Sequence, residues 1–235
     1  MQLFYNSTLD NSISQFSFSS EESKHIVKVL RKKEGDTLSI TNGKGYIYEA
    51  EIIEANLKRC KAELISHKKI HSPKHSLHLA VAPTKINDRF EWFLEKATEI
   101  GVTEITPIIC ERSERKVIKL ERMQKVLQSA MKQSLQAYLP KLNPAISYSE
   151  FLLTEKTGLL FVAHCAKGEK MELKRRVAPD KDVTVLIGPE GDFTQNEIDL
   201  AYEKGFLPIS LGRNRLRTET AAIVACTTVS MINNG

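Results

Sequence analysis

The hydrophobic period of this 235-residue chain changes near residue 71, and that change limits the folds open to it. From Asp36 to Ile65 the sequence DTLSITNGKGYIYEAEIIEANLKRCKAELI alternates apolar and polar residues on both sides of Asn42-Gly43-Lys44-Gly45. Period two around such a turn predicts a hairpin within a small antiparallel sheet or barrel. A short helix is predicted before it, from about Glu21 to Leu30, with Ile26, Val27 and Leu30 as its apolar stripe. The polar stretch HKKIHSPKH, Pro73 included, then acts as a hinge. Beyond it strand and helix patterns alternate: LHLAVA (77–82) as a strand, 88–100 as a helix ended by Gly101, and ITPIIC (105–110) as a strand. A long helix follows with Leu120, Met123, Leu127, Ala130, Met131, Ser134 and Tyr138 at helical spacing. GLLFVAHC and VTVLIG are continuous apolar runs, the pattern of parallel strands covered on both faces. Thr194-Gln195-Asn196-Glu197 reads as a capping box opening a helix to about Lys204, with a strand at 207–211 after it. Two domains are therefore predicted, a β-rich unit over 1–70 and an α/β unit with a mostly parallel sheet over 74–235.

Several function classes drop out. No apolar run approaches the roughly 20 residues of a membrane span, and MQLFYNSTLDNS has neither the basic start nor the apolar stretch of a secretory signal. A cytoplasmic protein is expected, with the Asn6-Ser7-Thr8 glycosylation match a coincidence. Cys60, Cys110, Cys165 and Cys226 form no C-x-x-C pair, so they are expected to be reduced core residues. His67, His71, His75 and His78 cannot share a helical face across Ser72-Pro73, and no metal site is expected there. The chain lacks a G-x-x-x-x-G-K-[ST] loop, a G-x-G-x-x-G turn, a G-x-S-x-G elbow and an H-E-x-x-H pair. A net charge of +5 is mildly basic, with local clusters at His25, Lys28, Arg31, Lys32 and Lys33 and along 111–125, each as compatible with a solvated face as with nucleic acid.

Ligands of open parallel sheets bind beyond the carboxyl ends of the strands, which directs attention to two loops, IGPEGDFT (187–194) and LGRNRLRTE (211–219). Gly188 and Gly191 let backbone approach a ligand, with Pro189 stiffening the turn between them. The stretch from Ala221 to Gly235 has no charged residue and many small ones, so a helix there must be covered on most sides, by the sheet and by a second subunit. Burial does not explain Arg213, Arg215 and Arg217 just before it. Three guanidinium groups, a helix N-terminus and Thr218 make a site for negative charge, such as RNA phosphate or a developing oxyanion.

Read in order, HIVKVLR, EKATEIGVTEITPIICERS, LLFVAH, LIGPEG and LGRNRLRTETA resemble the RsmE-type 16S ribosomal RNA uridine-N3 methyltransferases of the SPOUT superfamily, over nearly the whole chain. The resemblance implies a small N-terminal PUA-like β-barrel that binds RNA and an α/β domain whose mostly parallel sheet is threaded through a trefoil knot. It further implies S-adenosylmethionine held in that knot, 16S ribosomal RNA or the small subunit as partner, and an active site across a homodimer interface. By position, Leu186, Ile187, Gly188 and Gly191 in the first loop and Leu211, Gly212 and Leu216 in the second are expected to wrap the cofactor, with Thr218 beside them. Arg217 is expected to stabilise charge during transfer, and Glu219 either to take a proton or to cap the helix. Arg31, Arg112 and Arg215 are the expected RNA contacts. Lys96 is expected to be an ion-pair partner of a glutamate, and His164 a structural histidine. Two positions depart from the family pattern: MQLFY has no arginine, and Lys132 stands where a glutamate is common.

Overall fold

The computed structural model describes residues 2–234. They form two compact units, one running to Ser72 and taking in Met131–Leu139, the other comprising Pro73–Ala130 and the rest of the chain from Pro140.

In the first unit, β1 (Leu3–Tyr5), β2 (Gln15–Ser17), β3 (Thr37–Thr41), β4 (Tyr46–Glu54) and β5 (Lys61–Lys69) form one sheet in the order β1-β3-β4-β5-β2. The predicted hairpin is β3 and β4, paired antiparallel with Ser39 opposite Glu49. Gly43 and Gly45 both take positive φ in the turn, at 70° and 90°. The sheet is not wholly antiparallel, because β1 pairs with β3 in parallel. Alternation puts Tyr48, Ala50 and Ile52 of β4 inside, against Phe4, Ile26, Ile40, Cys60 and Ala62.

The predicted helix over 21–30 begins one residue earlier and changes form. Ser19 caps α1 (Ser20–Lys24), accepting a hydrogen bond from Glu22 N, and a π-helical turn continues over His25–Val29. The wider turn closes with Leu30 N donating to His25 O, and Arg31 then reverses the chain at φ 56°. Ile26 is fully buried while Val27 and Leu30 are partly covered. Lys132 pairs with Glu22 at 2.9 Å.

In the second unit every recorded strand pairing is parallel. The strands are β6 (Leu77–Val81), β7 (Glu104–Ile109), β8 (Lys141–Leu142), β9 (Ile146–Ser147), β10 (Leu159–Ala163), β11 (Met171–Glu172), β12 (Val183–Ile187) and β13 (Leu207–Ser210). Their order is β11-β13-β10-β12-β6-β7-β8, with β9 also on β7. All five residues of β12 are buried, as a central strand covered on both sides requires. One face carries α4 (Tyr148–Leu153) and α5 (Gln195–Glu203), which bury Tyr148, Phe151 and Ile198 against Ala80, Val162 and Leu186. The other carries α2 (Asn87–Ile100) and α6 (Thr218–Asn234).

Helix ends follow local chemistry. Gly101 caps α2 at φ 109°, and Thr194 and Glu197 make the predicted reciprocal capping box of α5. The helix predicted to reach Tyr138 is α3 (Leu120–Gln133), and it stops earlier. Leu135 takes φ 57°, and Tyr138 pairs with Lys44 and donates its hydroxyl to Ile70 O, so the helical stripe holds only to Met131. In α6 the inner side buries Ala222, Ala225, Cys226 and Val229, while Ile223, Val224 and Thr227 are only half-covered. Cys60, Cys110 and Cys226 are buried free thiols, but Cys165 is exposed, contrary to the core role expected for it.

Asp182 ties down the start of three strands. Its side chain accepts from Ser76 N at 2.7 Å and Ser76 Oγ at 2.8 Å, and its carbonyl accepts from Leu159 N at 2.8 Å. Gly158 lies against it at φ 81°, where an added Cβ would fall 2.2 Å from Asp182 O. Gly158→Ala is therefore expected to destabilise the protein by about 1–3 kcal/mol, read as a lower urea midpoint with an unchanged slope.

Candidate active site

Parallel register brings three strand ends level. Ala163 of β10 is aligned with Ile187 of β12 and with Ile209 of β13, so the loops that follow leave the sheet side by side. Between them is a hollow of about 590 Å³. Its walls are Ala163, His164, Cys165 and Lys170 from the first loop; Ile187, Gly188, Pro189, Glu190 and Asp192 from the second; and Ile209 through Thr218, with Ala221, from the third.

Hydrogen bonds hold the loops to one another. Thr218 Oγ1, at the start of α6, donates to Gly188 O at 3.0 Å, joining segments 30 residues apart. Asp192, at φ 62°, accepts from Cys165 N at 2.8 Å and from its own neighbour Phe193 N at 2.9 Å. Arg112 donates to Gly191 O at 2.9 Å. A Cβ on Gly188 would sit 3.1 Å from the Phe193 ring, so glycine lets the loop fold tightly over that ring. Gly212 takes φ 133° within a short loop in which Ser210 Oγ donates to Gly212 O at 3.0 Å.

The charge in the hollow is uneven. Arg213, Arg215 and Arg217 are exposed along its third loop, at the positive end of α6. His164 Nε2 pairs with Tyr202 Oη at 2.8 Å, and His164 Nδ1 is buried without a partner. Burial holds this imidazole below the ordinary histidine range, Lys170 adding to the effect and Asp192 opposing it. A neutral ring presents one donor and one acceptor. Glu190 accepts from Lys85 N through Oε1 at 2.9 Å, and its Oε2 is buried and unpartnered.

Of the residues expected at a cofactor, Ile187, Gly188, Leu211, Gly212, Leu216 and Thr218 line the hollow, as do Arg215 and Arg217. Leu186 is buried in the core beneath it, and Gly191 lies at the loop crest beside Arg112. Arg112 thus holds the loop backbone. Arg31 belongs to the other unit. Glu219 faces a second, smaller hollow of about 370 Å³ lined by Asp88, Arg89, Trp92, Arg217, Glu219 and Thr220. Lys96 is paired with Glu95 and Glu99 at 2.7 and 2.9 Å, as expected. Glu190, Asp192, Cys165 and Lys170 were not singled out as site residues from the sequence, although Glu190 lies inside the GPEG motif and Cys165 closes the GLLFVAHC run.

Comparison with known proteins agrees with this geometry. Residues 71–230 match the RNA methyltransferase domain family, and residues 18–65 match the RNA methyltransferase PUA domain. Ribosomal RNA small subunit methyltransferase E of Buchnera aphidicola is 33% identical, over 93% of this chain and 88% of its own. The protein of the same name from Rickettsia conorii is 32% identical over 99% and 96%. A crystal structure of a probable rRNA-methyltransferase from Porphyromonas gingivalis superposes with a TM-score of 0.93, at 37% identity, covering 100% of this chain and 99% of that one. A Neisseria gonorrhoeae ribosomal RNA small subunit methyltransferase E bound to S-adenosyl methionine superposes with a TM-score of 0.86, at 25% identity, over 99% and 98%.

Two outcomes are expected. Thr218→Val removes the donor to a buried carbonyl and should lower stability by about 1–3 kcal/mol in urea unfolding. For His164 the folded chain takes up its proton at lower pH than the unfolded chain, so stability falls as pH drops below 6.5, the ordinary histidine value. His164→Gln should flatten that fall, and His78, lowered by burial in the same direction, should sustain the remaining slope.

Proposed function

Since the chain belongs to the ribosomal RNA small subunit methyltransferase E family, we propose that it binds S-adenosylmethionine in the larger hollow and methylates N3 of a uridine in 16S ribosomal RNA. The observation that carries this reading is the meeting of the Gly188 and Gly212 loops in one hollow, with Arg217 on its wall. The residues fit the cofactor: two glycine-bearing turns expose backbone to the hollow, Ile187, Leu211 and Leu216 supply apolar walls, and His164 Nδ1 and Glu190 Oε2 are buried polar atoms without partners. When bound, S-adenosylmethionine supplies a methyl group activated by a sulfonium.

The chain's own residues do the rest. N3 of uracil is an imide nitrogen that carries a proton, and its nucleophilicity rises as the proton leaves and charge spreads to O2 and O4. Arg217, at the mouth of α6, stabilises that charge together with the helix N-terminus. Glu219, the second residue of α6 and part of the wall that Arg217 shares with the smaller hollow, receives the proton. N3 lies on the Watson–Crick edge, so the uridine must be unpaired or flipped out. Arg215 supplies phosphate contact at the hollow, Arg112 offers its remaining donors beside the second loop, and residues 1–70, with Arg31, form the PUA-like RNA-binding domain. The trefoil knot and the homodimer belong to the same proposal, with the half-covered side of α6 available to a second copy.

Calorimetry with S-adenosylmethionine tests the reading, and absence of binding at millimolar concentration would leave a non-catalytic RNA-binding role. Arg217→Ala should lower kcat by about 10²–10³ while changing cofactor affinity far less. Equal losses in both would remove the electrostatic role. RNA affinity should fall linearly on a double-logarithmic plot against salt, since Arg31, Arg112 and Arg215 are assigned to phosphate.

A further inference from the structure

The smaller hollow lies outside the cofactor site proposed above, yet it shares Arg217 with the larger one. We propose that it holds the uracil ring of the flipped nucleotide, with Trp92 as the stacking surface and Glu219 as the group that distinguishes uracil from cytosine. This rests on the methyltransferase reading above.

Three observations support it. Trp92 is 44% exposed on α2, off the apolar stripe of that helix, and is the one aromatic residue in the wall. Its flat face suits an unstacked base. Glu219 has a side chain only 8% exposed, with Oε1 3.8 Å from Arg89 Nε and Oε2 buried without any donor. A buried carboxylate oxygen left so is costly, and a ligand that brings an N–H to it gains accordingly. The Watson–Crick edge of uracil carries one donor, N3–H, between two carbonyl acceptors. The wall supplies the complementary groups, an acceptor in Glu219 and guanidinium donors in Arg89 and Arg217. Cytosine has a bare lone pair at N3, which would face the carboxylate and be repelled. A second copy of the chain could also cover Trp92, but an apolar interface would leave Glu219 Oε2 unsatisfied and the surrounding charges desolvated.

Trp92 is the sole tryptophan of the chain, so its emission reports this hollow directly. The test titrates the full-length protein, saturated with S-adenosylhomocysteine to prevent turnover, with short single-stranded oligouridylate, oligocytidylate and an abasic oligonucleotide of equal length. The expected result is quenching by oligouridylate at about tenfold lower concentration than by oligocytidylate, and none by the abasic chain. Glu219→Gln should abolish the preference, since an amide can serve either base. With small ribosomal subunits as substrate, Trp92→Ala should raise KM by about tenfold with a smaller change in kcat, and Trp92→Phe should restore most of the loss. Equal quenching by all three oligonucleotides, or a normal KM for Trp92→Ala, overturns the proposal. So does emission that changes with protein concentration alone, which would assign Trp92 to a contact between copies. Base-dependent quenching without S-adenosylmethionine binding would overturn the enzymatic reading and leave this hollow as a uracil site.

Discussion

The hydrogen bond from Thr218 Oγ1 to Gly188 O joins the two loops on which the site is built. It works because the sheet has already aligned the strand ends. β12 is buried along its whole length, β10 runs beside it in register, and β13 flanks β10, so the loops at 164, 188 and 211 emerge level. The bond then sets the first turn of α6 against the loop after β12. Both participants are buried, and an unmade bond there would leave a carbonyl without a donor, which makes this contact a strong constraint on the loop geometry.

From that arrangement the electrostatics follow. Three arginines line one loop without a carboxylate partner among the ion pairs of the described residues, in contrast to Lys96 or Lys132, whose charges are matched. Unmatched cations at a helix N-terminus favour an anionic ligand. Arg217 stands between the two hollows, so one guanidinium can act on charge arising from either side. Glu219, directly after Thr218 in the helix, turns to the opposite hollow from its neighbour because successive helical residues point about 100° apart.

Much of the fold was legible because local periods and caps are strong signals. The hairpin around Asn42-Gly43-Lys44-Gly45, the capping box at Thr194 and Glu197, and the continuous apolar runs of β10 and β12 all stand where the sequence places them. The departures have common causes. The π-helical turn at His25–Val29 and the early end of α3 are settled by distant partners: Ile26 sinks into the sheet core, and Tyr138 is held by Ile70 and Lys44. A helical stripe in sequence does not distinguish a residue that continues a helix from one that leaves it to bond elsewhere.

Sequence by itself determined the parallel sheet, the family, and the glycine and arginine composition of the loops, because those depend on residue type and spacing along the chain. Only the tertiary structure decided which of those residues face one another. Leu186 and Gly191 share a motif with Gly188, yet one is sunk in the core and the other rides the crest beside Arg112. His164, Cys165 and Lys170 enter the hollow from a separate strand end, and Trp92 meets Glu219 from a helix more than a hundred residues away. Such meetings are fixed by strand register and helix packing, which are properties of the assembled sheet and leave no local pattern to read.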